Sequence, residues 1–428
     1  MNEVPVLRVD GKRLVRRIEE LGRVGADPGG GVSRLAFTEE YVRGRELVAG
    51  YMREAGLRPS VDAAGNLLGR QPDAPEDLPV LLLGSHIDSV PGGGTLDGAY
   101  GVLAAVEVAQ VLATHGVRPA HPLAVVAFNN EEGAFGTRGM FGSRALVGGL
   151  VKGELDVPDS RGDTIAEWLP RVGGDADRVD EAAWPSGRIA AFLELHIEQG
   201  PVLHEYGDRI GVVDVITGRT SVDLDITGQT NHAGTTPMDL RRDALVAASH
   251  IIAAIPRLAG PRGVVRVATV GQCFVHPNAW NVVPGRVRLR VDLRDGSRQA
   301  LTRGVAEVES VAGVMARRTG TRVEVRVGQQ IPPVPCAPSL RQAIARAADE
   351  LRLPHRTVPS GAGHDAQIIG EFAPMGMIFV PSRRGISHAP DEATAATDLV
   401  AGADVLLRTV LGFGRGQRAA EGTERASR

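Results

Sequence analysis

The residues able to do chemistry begin with His86 and Asp88, which follow the apolar run Val80–Leu83 and are separated from Asp97 by the turn Gly92-Gly93-Gly94. Two positions apart at the end of an extended run, His86 and Asp88 leave the backbone on the same face. An imidazole with flanking carboxylates is first of all a ligand set for a divalent metal. Farther along, Glu131 and Glu132 follow the apolar run 123–128, His196 follows Ala190–Leu195, and His388 lies in GISHAP. If those runs are neighbouring strands, two of the histidines with Asp97, and the shared Asp97 with Glu132 and the third histidine, make two metal sites bridged by Asp97. Such pairs sit about 3.5–4 Å apart and hold a water between them. The N/O donor set suits zinc, manganese, cobalt or nickel and does not choose among them. Asp88 is expected to accept the His86 ring N–H and aim the imidazole. Glu131, beside Glu132, is the candidate general base, provided the strand has turned by that point.

The elements that must position these groups read as an open α/β sheet. Val80–Leu83, Leu123–Phe128, Ala190–Leu195 and Met375–Pro381 are short continuous apolar runs, the pattern of buried parallel strands. Ligands gather at the mouth of such sheets. Helices are expected at 10–24, 38–56, 98–115, 339–351 and 391–411, and a short strand within Ser60–Leu68 turning at Gly65-Asn66. Residues 150–187 read as loop. From Val213 the texture changes. Strands at Thr220–Thr227, Gly263–Cys273, Val287–Leu293 and Thr321–Val327 with helices at Arg241–Leu258 and Ser297–Arg318 give the order βαββαβ, a ferredoxin-like unit. The expected organisation is an α/β catalytic domain of residues 1–212 and 330–428, interrupted by a ferredoxin-like domain at 213–329. Residues 412–428 read as a disordered tail.

A length of 428 residues exceeds one ordinary core, and 43% hydrophobic with 23% charged residues is ordinary globular composition. A net charge of −3 without a dense Lys/Arg run gives no support to a nucleic-acid or membrane-surface partner. No signal-peptide segment or run of ~20 apolar residues is present. Cys273 and Cys336 fit neither a disulfide framework nor a CxxC site, so both are expected as thiols in the cytoplasm. The triple glycine is no phosphate loop, because no Lys-Ser/Thr follows it.

Taken together, HIDSVPGGGTLDGAYGV, FNNEEG, ELHIEQGPVL, NHAGTTPMDLRRDA, NVVPG, SGAGHDA and GISHAPDE resemble the ordered motif set of the zinc-peptidase M20 superfamily. More narrowly they resemble its amidase/hydantoinase/carbamoylase branch, which holds N-carbamoyl-L-amino-acid hydrolases, β-ureidopropionases and allantoate amidohydrolases. The resemblance runs from about residue 10 to 411. It implies a catalytic domain with two divalent ions per subunit and an inserted lid that also dimerises. His86, Asp97, Glu132, His196 and His388 would be the metal ligands, Asp97 bridging, with Glu131 as base and later acid and Asp88 behind His86. His232 would enter the partner subunit's site and polarise the scissile carbonyl. Gln199, Asn281, Arg294 and the backbone at Gly363 would hold a small ureido or amide substrate, Arg294 clamping its carboxylate.

Plainer readings stand beside these. His232 before Ala-Gly also suits a turn, Arg294 a strand arginine paired with Asp292 or Asp295, and His364-Asp365 a loop held by its own hydrogen bonds. His115, His121, His204, His250, His276 and His355 match no motif and read as structural or surface. Two departures bear on substrate. Phe135-Gly136 stand where the branch often has Arg-Phe. Thr220-Ser221 stand where allantoate amidohydrolases carry an arginine, with Arg219 pointing away from Thr220's face. The expected activity is therefore hydrolysis of N-carbamoyl-L-amino acids; allantoate, another ureido acid or another small N-acyl substrate is the alternative. A non-enzymatic binding protein on this scaffold would have lost a ligand or the base, and all six positions are intact. An unbridged single-metal site would instead mark an aminoacylase-like enzyme.

Overall fold

Runs without polar alternation become strands covered on both faces. Val80–His86, Leu123–Phe128 and Met375–Val380 are buried at every residue in the computed structural model of the chain, which describes residues 7–75 and 78–413. With Ile189–Ile197 they form four parallel neighbours in the order Leu123–Phe128, Val80–His86, Ile189–Ile197, Met375–Val380. The first strand does not stop at Gly84-Ser85, as its composition suggests, but carries the ladder to His86, opposite Phe128. Outside these lie an antiparallel hairpin, Arg58–Val61 with Leu67–Arg70, on one side and Ile210–Ile216 with His355–Ser360 on the other. The single strand expected within 60–68 is thus two strands, turned where the Asp62 carboxylate accepts the N–H groups of Ala64 and Asn66.

Two compact units result. One takes the chain up to Asp214 and from Cys336 onward; the other is Val215–Pro335, where the sequence reading put 213–329. The inserted unit follows the order βαββαβ in its main elements: Gly218–Thr227, Ala244–Ala254, Val267–His276, Arg286–Asp295, Arg298–Thr319 and Arg322–Ile331. Its four antiparallel strands lie in the order Arg322–Ile331, Gly218–Thr227, Arg286–Asp295, Val267–His276. Val222, Leu224, Ile226, Val287, Leu289 and Val291 alternate inward against Ala247, Ile251, Leu301 and Val308 of the helices. The helix expected to begin at 391 begins at Ala396 and ends at Gly412. The rest of the tail read from the sequence, 414–428, lies outside the described residues.

In the larger unit, helix Ala99–Thr114 is apolar nearly all round, and its one buried acid anchors the first helix. Glu107 is fully buried and accepts Asp10 N–H (2.8 Å) and Arg13 Nε and Nη2 (2.8 and 2.7 Å), with Arg17 Nη1 3.7 Å away. Removing one member of a buried ion group leaves the other charges desolvated and unpaired, a loss of about 3–5 kcal/mol. Glu107→Ala is therefore expected to lower the denaturant midpoint strongly and to expose helix Gly11–Gly22 to hydrogen exchange. A wild-type midpoint in the variant would contradict this.

Candidate metal centre

The four parallel strands end on one edge, and each delivers polar residues there. His86 is the last residue of its strand and His196 the last but one of Ile189–Ile197. Glu131 and Glu132 lie just beyond Phe128, and His388 lies on the loop after Met375–Val380. Asp97 comes from the approach to helix Ala99–Thr114. Backbone carbonyls fix two tautomers. His86 Nδ1–H donates to the carbonyl of Asp88 (2.9 Å) and His196 Nδ1–H to that of Ile197 (2.8 Å). In its neutral form each ring then carries its lone pair on Nε2, and both Nε2 atoms face Asp97 Oδ1, at 4.0 and 3.1 Å. His388 Nε2 lies 2.9 Å from Asp97 Oδ2 and 3.4 Å from Glu132 Oε1. Lone pairs aimed at carboxylate oxygens repel unless a proton or a cation lies between them.

A divalent cation fits. Four donors about 2.1 Å from a tetrahedral ion are about 3.4 Å from one another, and these separations bracket that value. His86, Asp97 and His196 offer donor atoms all within 4.8 Å of one another, and so do Asp97, Glu132 and His388. Asp97 belongs to both groups, as a bridging carboxylate must.

Charge is concentrated here. Burial would push the Asp97 carboxyl up, but hydrogen bonds from His196 and His388 hold it well below the usual carboxylate range. Burial opposes the His196 imidazolium, yet Asp97 and Glu194 outweigh it and raise that group to about 9. Asp97 likewise raises His388 to about 9. Glu132 is pushed to about 7 by burial and by Asp97 and Asp88. Glu131 goes well above its ordinary value, from burial first and then repulsion by Glu132, Asp365, Asp88 and Asp97. Its Oε2 lies 3.8 Å from His86 Nε2.

Asp88 corrects one expectation. The His86 ring N–H goes to the Asp88 carbonyl, while the carboxylate oxygen lies 3.6 Å off. That carboxylate instead accepts the backbone N–H groups of Glu131 (3.3 Å) and Glu132 (3.1 Å), pinning the turn that lets both acids face the site. Gln199, at φ +56°, donates from Nε2 to both Asp97 oxygens (3.1 Å each), and its Oε1 is buried without a partner. Gly363 is exposed, in the same unit, and a Cβ there would lie 2.7 Å from Met140 Cε. Sequence reasoning missed Glu194, buried and bonded to Ser85 Oγ (2.6 Å) and Ala366 N–H (3.0 Å). Its spacing of two from His196 on one strand, hence on the same face, was the available signal. His364 is buried, bonded to Ser360 Oγ (2.8 Å) and edge-on to the His196 ring, as a supporting loop residue would be.

In the inserted unit, His232 and Asn281 come together. His232 pairs with Val282 across a two-residue ladder, and Ala233 N–H donates to the Asn281 carbonyl (2.9 Å). Both are exposed. His232 Nδ1 accepts Gly234 N–H (3.0 Å), so its Nε2 carries the proton and points away as a donor. Arg294 lies on the four-stranded sheet and bonds Asp292 Oδ2 through Nη2 (2.9 Å), the plainer pairing. Arg219 faces away from buried Thr220, as read from the sequence, and this sets it directly across from Arg294. In the larger unit, Phe135 stacks on Trp168, with the Arg161 guanidinium 3.2 Å from its ring centroid.

Gly98 shows how tightly the centre is packed. Its φ is +62°, and a Cβ would lie 2.4 Å from the His86 ring. Gly98→Ala is expected to displace His86 and strip bound divalent ion from the protein at nearly unchanged helix content, read by elemental analysis and circular dichroism. Full metal content in that variant would contradict the arrangement.

Comparison with known proteins identifies the family. The model of Peptidase family M20/M25/M40 matches residues 82–412. An N-carbamoyl-L-amino acid amidohydrolase of Geobacillus stearothermophilus is 44% identical over 409 residues, 96% of this chain and all of that protein. The allantoate amidohydrolase of Escherichia coli (strain K12) is 35% identical over 387 residues, 90% of this chain and 94% of its own length. Among solved structures, an amidase of the hydantoinase/carbamoylase family from Burkholderia multivorans superposes with a TM-score of 0.88 at 38% identity, covering 95% of this chain and 98% of that one. The chain belongs to peptidase family M20/M25/M40, in the branch of the carbamoyl-amino-acid and allantoate amidohydrolases.

Proposed function

We propose that this chain is a dinuclear-metal amidohydrolase that cleaves N-carbamoyl-L-amino acids. The observation that carries the reading is the convergence of three imidazole Nε2 atoms on the two oxygens of Asp97, with Glu132 against His388 and Glu131 against His86. His86, His196 and Asp97 would hold one ion, and Asp97, Glu132 and His388 the other; zinc, manganese, cobalt and nickel all suit the donors. Bound there, the ions would supply Lewis acidity and a water acidic enough to react near neutral pH.

The chain's own residues do the rest. Glu131, with its affinity for a proton raised by burial, takes one from the attacking water and returns it to the leaving nitrogen. Water adds to the carbamoyl carbon, the C–N bond breaks, and the carbamoyl group leaves as carbon dioxide and ammonia beside the free amino acid. His232 of the partner subunit donates from Nε2 to the developing oxyanion. Gln199, Asn281 and the Gly363 backbone orient the ureido group, and Arg294 exchanges Asp292 for the substrate carboxylate. A homodimer is supported by the surroundings of His232, where Trp280 is 96% and Met238 75% exposed, an apolar surface suited to a second copy. Free Cys273 and Cys336 accord with a cytoplasmic location.

A second reading rests on Arg219. Two arginines side by side on one sheet face, Arg219 and Arg294, suit a more polar ureido acid such as allantoate.

Metal-reconstituted enzyme assayed on N-carbamoyl-, N-formyl- and N-acetyl-L-amino acids and on allantoate is expected to prefer the N-carbamoyl series. Turnover of allantoate with none of N-carbamoyl amino acids would overturn the first reading in favour of the second. Glu131→Gln is expected to keep its metal and lose about 10²–10⁴ in kcat; wild-type kcat would remove Glu131 as the base.

A further inference from the structure

The loops carrying Asp97 and His388, remote from each other in sequence, meet at one buried side chain outside the proposed ligand set. Glu392 accepts the backbone N–H groups of Leu96 (2.9 Å) and Asp97 (3.1 Å) on Oε1, and the Ser387 hydroxyl (2.7 Å) on Oε2. Its own N–H closes a turn onto the Ala389 carbonyl (3.0 Å), and the residue is 8% exposed. His388 itself is at φ +54°, a left-handed conformation that disfavours a side chain and persists only where neighbours hold it. The glycine turn contributes space: a Cβ at Gly94 would lie 2.0 Å from Glu392 Oε1.

We infer that Glu392 is a positioning residue that sets the separation of Asp97 from His388, and with it the affinity of the ion held by Asp97, Glu132 and His388. The inference rests on the dinuclear reading above. It requires an acceptor for the two N–H groups and a hydrogen-bonding partner for the Ser387 hydroxyl rather than a charge. A glutamine keeps a carbonyl oxygen for the two N–H groups and can donate its amide to Ser387 Oγ, whereas alanine leaves two buried N–H groups unanswered. Gly94→Ala crowds the same carboxylate without removing it.

The test is calorimetric titration of metal-free protein with Mn²⁺, with thermal unfolding in parallel. Wild type is expected to take up two ions. Glu392→Ala is expected to weaken one of them at least about tenfold, Glu392→Gln to restore it to within about threefold, and Gly94→Ala to weaken the same ion. If both changes act through one carboxylate, the double variant Gly94→Ala/Glu392→Ala is no weaker than the worse single one. Wild-type affinity for both ions in Glu392→Ala and Gly94→Ala, even with a lowered melting temperature, would overturn the inference. So would Glu392→Gln as weak as Glu392→Ala, which would make charge the cause. Should Glu392→Ala not fold, Gly94→Ala and Glu392→Gln decide. Wild type binding fewer than two ions would overturn the dinuclear reading itself.

Discussion

Asp97 is the point on which the structure turns. Its two oxygens are met by the imidazoles of His86, His196 and His388 and by the Gln199 amide, in a region where Asp88, Glu131, Glu132, Glu194 and Asp365 are also largely withdrawn from water. Desolvating a carboxylate costs several kcal/mol unless something answers its charge. The fold answers some of them with fixed dipoles: backbone N–H groups for Asp88, a hydroxyl and an N–H for Glu194. It answers Asp97 with imidazoles. Glu131 and Asp365 receive least and rise farthest above their ordinary ranges, burial being the leading cause for both. A concentration of acids that is unfavourable as a metal-free core becomes favourable around divalent cations, and an acid with raised proton affinity among them is suited to proton transfer near neutral pH.

The architecture serves that concentration by keeping it at the ends of strands that are apolar along their length. Val80–His86, Leu123–Phe128 and Met375–Val380 give up every residue to the core, so the ladder fixes where each chain segment emerges. Small residues then allow close approach. Gly98 lets the helix start against the His86 ring, with its N–H 3.1 Å from His196 Nε2. The inserted unit has a core of its own, and presents His232 with its donor outward on a short ladder rather than on the main sheet.

Much of this was legible in the sequence for a physical reason. Continuous apolar runs mark buried parallel strands, and polar residues at the ends of such runs fall at one edge, so His86, Glu131, Glu132 and His196 group together from the sequence, with Asp97 and His388 joining them from the loops that follow two of the runs. Alternating apolar positions in 220–227 and 287–293 similarly exposed the inserted sheet. Spacing tells which way a side chain leaves the backbone, however, and not which atom it will find. Hence Asp88 meets His86 through its carbonyl and spends its carboxylate on the Glu131–Glu132 turn. Strands Ile210–Ile216 and His355–Ser360 escaped because their pairing is tertiary and their composition mixed. Glu392 escaped because the N–H groups it accepts belong to Leu96 and Asp97, far away in sequence, and Glu194 shares a face with His196 by its spacing of two while its partners Ser85 and Ala366 are equally remote.

The central claim, that Asp97 bridges two ions, is tested most directly by anomalous diffraction from crystals loaded with manganese or zinc. The account predicts two peaks about 3.5–4 Å apart, one beside His86 and His196 and the other beside Glu132 and His388, with an Asp97 oxygen on each. A single peak, or a pair that Asp97 does not join, would contradict it.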